Sequence, residues 1–230
     1  MTSIVEKIRS RGFWQVIIRP VKYKGDRVKF TILLPLIEKT SIQLRGWDFP
    51  HIDTINPIQK DIKWIGQECD WGHFVESWRF YESGQFVHVG GIWQDWRDQS
   101  ELWPAGKDWK PRALLDVAST VFHFSEIFEF AARLAFTEAG DDLIHIEIKL
   151  RGLGGRLLST DDPQRMPLSR HYTATIDEFP CTTDVSRTEL IANPNNLALP
   201  HVQQLFARFG WEPSLEHLKM FQPKARQQAP

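Results

Sequence analysis

Two side chains of opposite charge occupy alternate positions in the segment Leu143–Leu150, which the sequence predicts to be a strand. Glu147 and Lys149 are two residues apart, and residues at that spacing on a strand share a face. The carboxylate and the ammonium group therefore project from the same side of the strand. Glu147 and Lys149 are the candidate catalytic pair of this chain.

The pair resembles the Glu-x-Lys motif of metal-dependent nucleases of the PD-(D/E)xK type. In that family the pair binds Mg²⁺ and helps to position the attacking water, so the resemblance implies Mg²⁺ as the candidate cofactor. That family also needs an acidic residue at the end of an earlier strand, whereas Asp141 and Asp142 lead into the same strand and Asp116 lies in a predicted helix. The alternative is a half-buried strand whose charged side chains face solvent. It places Ile144, Ile146, Ile148 and Leu150 inward and His145, Glu147, Lys149 and Arg151 outward. A divergent nuclease is thus an alternative, and a non-catalytic protein without a cofactor is the preferred interpretation.

Other potential sites lack the spacing that their chemistry needs. Cys69, Asp70 and His73 are close together, and His51 and His88 could approach them, but the paired ligands of a structural zinc site are missing. We therefore predict that Cys69 is a small buried hydrophobic residue and that no metal is bound.

A glycine-rich run could in principle bind phosphate. Residues 152–155 read Gly-Leu-Gly-Gly and are flanked by Arg151 and Arg156. Phosphate loops normally lead into a helix N-terminus, whereas this run leads into a predicted strand. We predict a tight hairpin turn between Leu143–Leu150 and Arg156–Leu158.

Tryptophan is the most distinctive residue type of the chain. Seven of the ten tryptophans lie between Trp64 and Trp109, and several tryptophans have an arginine nearby. Exposed pairs of this kind stack on bases or form hot spots for a protein partner, whereas buried tryptophans belong to the core. Ten exceed what a core of this size needs, so at least two should line a groove.

The charge distribution is uneven although the formal net charge is −1. Residues 1–29 contain eight Lys/Arg and two acidic residues, a local balance of +6, and residues 219–230 add +3. A basic segment can bind a phosphate backbone or an acidic protein surface.

The preferred function combines these two features. We predict an accessory subunit that binds a protein or nucleoprotein complex, or nucleic acid, through its basic N-terminal segment and its tryptophan-rich surface. The predicted partner-binding residues are Arg9, Arg11, Arg19, Lys22, Arg45, Trp47, Trp96 and Arg97. A further alternative is a small-ligand sensor with an aromatic pocket beneath a loop that spans Trp93–Trp109.

Alternating patterns predict a central hairpin, His73–Tyr81 followed by Phe86–Trp93. Apolar residues at helical spacing, between Pro111 and Gly140, predict a long buried helix over Arg112–Glu138. The remaining predictions are helices at residues 3–11, 28–38 and 198–209 and strands at residues 13–19, 40–46, 61–68 and 171–176.

These elements predict an α+β fold, with a mixed, mostly antiparallel sheet that carries the long helix on one face. We expect one domain over residues 1–218 and a flexible tail over 219–230. No apolar run reaches 18 residues, the N-terminus lacks the apolar segment of a secretion signal, and there are two cysteines. These observations predict a cytoplasmic protein that has no contact with membranes.

Overall fold

The computed structural model describes residues 3–44, 46–97, 110–160, 168 and 170–222. The α-helices are α1 (Ile4–Arg9), α2 (Leu33–Thr40), α3 (Val117–Ala135), α4 (Arg187–Ala192), α5 (Pro194–Ala207) and α6 (Leu215–Lys219). The strands are β1 (Phe13–Pro20), β2 (Ile42–Gln43), β3 (Asp48–Phe49), β4 (Gln59–Lys60), β5 (Trp64–Trp71), β6 (Phe74–Tyr81), β7 (Phe86–Gly91), β8 (Leu114–Asp116), β9 (Leu143–Arg151), β10 (Leu157–Ser159) and β11 (Glu178–Ser186).

A seven-stranded antiparallel sheet organises the described part of the chain. Its strand order is β11-β9-β1-β7-β6-β5-β4. The inner face of the sheet carries α3, and α4 and α5 pack against α3 in turn. On the outer face α1 covers β5, β6 and β7, with a small cluster of Ile8, Phe13, Val75 and Val89 beneath it. The predicted α+β class, with a long helix on one face of the sheet, is confirmed.

The central hairpin is also confirmed, as β6 and β7. Trp78 and Phe80 point inward and are fully buried, and Phe80 pairs directly with Phe86 across the hairpin. The predicted strand at 61–68 is β5, which adds a third strand beside β6. Three consecutive antiparallel strands therefore form this half of the sheet, and they contain Trp64, Trp71 and Trp78.

The long helix is shorter at both ends than the sequence indicates. Arg112 has a φ of +71°, which a helix cannot accommodate. Residues 114–116 form β8, and Asp116 then caps α3 by accepting a hydrogen bond from the Ser119 N–H at 2.6 Å. The helix ends at Ala135, and Phe136 beyond it is exposed. As predicted, α3 is buried on several sides, because it lies between the sheet and α5.

The predicted second hairpin is wrong. β9 pairs with β1 and β11, whereas β10 pairs in parallel with β8. The reason lies in the connection between β9 and β10, where the side chains of Leu153 and Arg156 are completely buried. Burial of these two side chains turns the chain into the interior instead of back along β9.

Other N-terminal elements are displaced from their predicted positions. The apolar segment 28–38 becomes a 3₁₀ turn, Phe30–Ile32, followed by α2. Pro35 lies in the first turn of α2. A backbone N–H at that position would have no intrahelical acceptor, so its absence in proline costs no hydrogen bond. The strand predicted at 40–46 shortens to β2, which pairs with β3.

The C-terminal part contains a strand that the sequence pattern did not indicate. β11 is an edge strand, and it includes Pro180, which an edge position tolerates. The strand predicted at 171–176 reduces to one bridge between Thr173 and Leu157. The helix predicted at 198–209 is α5, which begins earlier, at Pro194. It is followed by α6, and Phe221 after α6 is buried in the main core. No helix within the described ranges is long and apolar enough to cross a membrane.

Candidate functional site

A cavity of ≈ 70 Å³ opens on the inner face of the sheet. It lies between the ends of β6 and β7, the first half of α3, the β3 segment and the 3₁₀ turn Trp93–Trp96. Its aromatic lining residues are Trp14, Trp47, Phe49, Phe74 and Trp93. Its lining residues with carboxylate, imidazole, amide or hydroxyl groups are Asp48, Glu76, His88, Gln94, Ser119, Thr120, His123 and Glu126. A water molecule needs roughly 10–15 Å³ of such volume, so the cavity can hold several waters or a small organic molecule.

A buried glutamate–histidine pair forms the sheet side of the cavity. Trp78 of β6 pairs with His88 of β7, and Glu76 precedes Trp78 by two residues, so its side chain shares the inward face. The His88 Nε2 and Glu76 Oε2 atoms are 2.7 Å apart. The second carboxylate oxygen accepts a hydrogen bond from the Trp47 indole N–H at 2.8 Å. Both oxygens of Glu76 therefore have donors, which fixes the orientation of the carboxylate and of the imidazole.

The same pair determines which nitrogen of His88 can act on a ligand. When Glu76 is ionised, the proton of a neutral imidazole lies on Nε2 and Nδ1 carries the lone pair. His88 is 2% exposed, and its Nδ1 has no hydrogen-bond partner among the described residues. A buried polar atom without a partner costs about 1–3 kcal/mol. This cost makes Nδ1 a candidate hydrogen-bond acceptor for a bound molecule.

A second glutamate–histidine pair lies on the helix side of the cavity. His123 and Glu126 are three residues apart on α3, and the His123 Nδ1 and Glu126 Oε2 atoms are 3.3 Å apart. Glu126 is 2% exposed. The His123 ring contacts the Trp14 ring at a centroid distance of 4.6 Å, and the His88 and His123 centroids are 6.4 Å apart. The two pairs thus face one another from different elements.

Trp47 has a structural part in the cavity wall. Its ring is stacked on His51 at a centroid distance of 3.8 Å and on Phe74 at 4.1 Å. Both faces of the indole are covered, so Trp47 cannot stack on a base or a ligand in this arrangement. Its contribution is the N–H that orients Glu76.

The 3₁₀ turn Trp93–Trp96 brings two further donors to the cavity. The Trp93 Nε1 and Gln94 Nε2 atoms are buried without a hydrogen-bond partner among the described residues. The Arg97 guanidinium lies 4.1 Å from the centroid of the Trp93 ring, but Arg97 does not line the cavity. Residues that line the cavity therefore carry at least two donors and one acceptor without a partner among the described residues.

Asp95 holds this turn in place. It accepts hydrogen bonds from the backbone N–H groups of Gly12 at 2.9 Å and Arg112 at 2.8 Å. It also forms an ion pair with Arg156, with N–O distances of 2.8 and 2.6 Å. Asp95 thereby joins the start of β1, the start of the β8 segment and the β9–β10 connection to the turn that carries Trp93 and Gln94.

The predicted catalytic pair lies elsewhere, on the outer face of the sheet. The Lys149 Nζ and Glu147 Oε1 atoms form an ion pair at 2.6 Å, and His145 nearby contacts Asp184 at 2.6 Å. Within the residues that the structure describes, no group of three or more His, Cys, Asp or Glu side chains is placed to hold a metal ion. The inward and outward residues of β9 follow the predicted alternation.

The other candidate sites also have structural roles. Cys69 is buried, and burial raises the pKa of its thiol to about 12. The glycine-rich run 152–155 does not form a phosphate cradle with both arginines, because the Arg156 side chain is buried in the ion pair with Asp95.

The predicted partner-binding residues divide between the two ends of β1. Near its start, Arg9 is exposed and the Arg11 guanidinium lies 4.2 Å from the centroid of the Trp96 ring. At its far end are Arg19, which is half-buried, and the exposed Lys22. Eight extended residues span roughly 25 Å, so these groups do not form one compact patch. Arg45 lies outside the described residues, and Trp47 and Arg97 belong to or adjoin the cavity.

Sequence reasoning missed Glu76, His123 and Glu126 and reached His88 only as a possible metal ligand. The signal was available in the alternation of β6, because Glu76 occupies an inward position in register with Trp78 and Phe80. A carboxylate at such a position must be paired inside the fold. The predicted loop from Trp93 to Trp109 lies outside the described residues from position 98 on.

Comparisons with protein-family models, with curated proteins and with solved structures find no match to this chain.

Proposed function

We propose that this protein binds a small organic molecule in the cavity between the sheet and α3. The observation that carries this proposal is the buried His88, which lines an aromatic cavity and whose Nδ1 has no hydrogen-bond partner among the described residues. Ligand sites are typically concave, mostly apolar and equipped with a few oriented polar groups. The cavity has this composition, and the Glu76 carboxylate fixes the orientation of its main acceptor.

Ligand binding makes the fewest demands on the cavity. Both histidines of the cavity are paired with glutamates, an arrangement that also suits general acid–base chemistry. A catalytic role would further require a substrate whose reacting atoms lie within hydrogen-bond reach of His88 or His123. A sensor or carrier needs only the pocket and its oriented polar groups.

The proposed function can be tested by filling the cavity with a bulky side chain on α3. Ser119 lines the cavity, and Ser119→Phe would place a large ring in it. The matched control is Thr182→Phe, which puts the same ring on the exposed outer edge strand β11. Each protein is dialysed against a small-molecule extract of the cells that produce it, and retained compounds are identified by mass spectrometry.

We expect one compound, or a group of related compounds, to be retained by the wild type and by Thr182→Phe but not by Ser119→Phe. If all three proteins retain the same compounds, or none retains any, the cavity is not a ligand site. Circular dichroism of each variant confirms that the comparison concerns folded protein.

A second candidate is the accessory subunit with a basic contact surface. It is favoured by the turn after β1, where Tyr23 is 82% exposed between the exposed Lys22 and Lys24. An exposed aromatic ring flanked by cations suits a protein partner or a nucleic acid. If Arg19→Glu with Lys22→Glu leaves partner binding unchanged in a folded protein, this candidate is excluded.

Both candidates are proposed to act in the cytoplasm, because a reducing compartment suits the two buried free thiols of Cys69 and Cys181.

A further inference from the structure

We infer that the ligand of this cavity is a small organic cation, an amine that is protonated at neutral pH. This inference rests on the proposed ligand-binding function and adds the chemical class of the ligand. Three features of the cavity carry it: the charge of its lining, its aromatic wall and the complementarity of its polar atoms without partners.

Carboxylates outnumber the basic groups of the lining. Among the described residues that line the cavity, the carboxylates are Asp48, Glu76 and Glu126, and there is no lysine or arginine. The basic groups are the imidazoles of His88 and His123, which pair with Glu76 and Glu126. Glu76 and Glu126 are buried to 6% and 2% exposure. An anionic ligand in this cavity would lie close to these carboxylates, and like charges repel strongly in surroundings of low dielectric constant. A cation would be attracted by the same carboxylates.

The aromatic wall gives the same preference. Trp14, Phe49, Phe74 and Trp93 line the cavity together with the carboxylates. One face of Trp93 lies against the Arg97 guanidinium and one face of Phe74 against Trp47, so these two rings have only their other faces to offer. The face of an aromatic ring attracts a cation, and the attraction grows when the cation is removed from water. An aromatic wall combined with carboxylates is the arrangement with which proteins recognise ammonium groups.

The polar atoms without partners define the rest of the ligand. His88 Nδ1 is an acceptor when Nε2 donates to Glu76, so it can accept a hydrogen bond from an ammonium N–H. Gln94 Nε2 and Trp93 Nε1 are donors that need an acceptor. A hydroxyl or carbonyl oxygen beside the amine would satisfy them. The structure therefore points to a small amino alcohol or amino amide rather than a purely apolar amine.

The test compares three probes of equal chain length: butylamine, butan-1-ol and butanoate. Their binding to the wild type is measured by protein NMR titration at about pH 8, where an alkyl ammonium group stays protonated and a carboxylate stays ionised. We expect butylamine to bind on the order of tenfold more tightly than butan-1-ol and butanoate not to bind. With 4-aminobutan-1-ol we expect tighter binding than with butylamine.

Two matched variants separate charge from shape. Glu126→Gln keeps the size of a lining side chain and removes its charge, whereas Glu129→Gln changes a glutamate of α3 that does not line the cavity. We expect Glu126→Gln to lose most of the preference for butylamine over butan-1-ol and to keep its affinity for butan-1-ol. Glu129→Gln should behave as the wild type.

The outcomes distinguish this inference from the function on which it rests. If butan-1-ol or butanoate binds the wild type as tightly as butylamine, and Ser119→Phe abolishes that binding, the cavity is a ligand site but the ligand is not a cation. If no probe binds the wild type, or if Ser119→Phe binds all probes as the wild type does, both the inference and the proposed function are contradicted.

Discussion

Asp95 and Arg156 form an ion pair whose side chains are 1% and 0% exposed, at an N–O distance of 2.6 Å. The two residues are 61 positions apart in the chain. Asp95 also caps two backbone N–H groups, and Arg156 donates to the backbone carbonyls of Gly152 and Leu114. This ion pair fixes the turn that presents Trp93 and Gln94 to the cavity, so cavity geometry and global stability depend on the same contact.

Removing one partner of this ion pair should be strongly destabilising. We expect Arg156→Met to lower the free energy of unfolding by about 3–5 kcal/mol, because it leaves a buried carboxylate without its counter-charge. Adding Asp95→Asn should recover part of the loss, since the amide oxygen can still accept a backbone hydrogen bond. Urea denaturation measures both effects. The control is Lys219→Met, which removes an exposed ion pair with Glu216 and should cost less than about 1 kcal/mol. Equal losses for Arg156→Met and Lys219→Met would contradict the role assigned to the buried pair.

Gly90 should be irreplaceable because of its contact with His88. A Cβ atom at Gly90 would lie 2.7 Å from the His88 Cε1 atom, so the imidazole must move away from Glu76. We expect Gly90→Ala to cost about 1–3 kcal/mol of stability and to change the His88 ring signals in NMR spectra. Gly25→Ala is the control, because its nearest neighbour is the end of the exposed Tyr23 side chain at 3.1 Å. Unchanged His88 signals in Gly90→Ala would show that the ring is not held as described.

The stability of the protein should decline in mild acid because of His201. This residue of α5 packs on the Phe128 ring at a centroid distance of 5.5 Å, and burial lowers its pKa below the ordinary value of 6.5. The unfolded chain therefore takes up the proton first as the pH falls through 6.5, and the stability that the neutral ring contributes is lost. We expect His201→Gln to flatten this part of the profile of unfolding free energy against pH. A profile identical to that of the wild type would refute the assignment to His201.

Neither cysteine should react with thiol reagents in the folded protein. Burial raises the pKa of the Cys69 thiol and of the Cys181 thiol to about 12, so almost no thiolate exists at pH 8. We expect no reaction with an aromatic disulfide reagent in the native state and two equivalents after unfolding. Above the ordinary thiol pKa of 9.0, the unfolded chain loses protons that the fold retains, so stability should fall as the pH rises further. Rapid native reaction of either thiol would contradict its burial.

The sequence predicts those parts of the fold that depend on local patterns. The alternation of Trp78 and Phe80 defines the central hairpin, and apolar spacing locates α3 even though Asp116 starts it later than Arg112. The pairing of β10 with β8 instead of β9 could not be predicted from a local pattern. It accompanies the burial of Arg156 against Asp95, a contact between distant parts of the chain.

The cavity was predictable only in outline. The number of tryptophans indicates a groove, but whether a ring face is free to stack on a ligand depends on tertiary neighbours: both faces of Trp47 are covered, by His51 and Phe74. Glu76 and His88 share a face only after the register of β6 and β7 is known, and their meeting with α3 requires the whole fold. A site whose residues come from distant elements has no contiguous motif by which a single sequence could reveal it.

The central claim is that the cavity binds a ligand, and the indole N–H signals of the tryptophans test it most directly. With saturating butylamine in ¹H–¹⁵N spectra, we predict shifts of the Trp47 and Trp93 indole signals, which belong to the lining, while Trp64 and Trp211 stay unchanged. The same titration of Ser119→Phe should give no shifts. Shifts confined to Trp64 or Trp211, or an equal response of Ser119→Phe, would contradict the account.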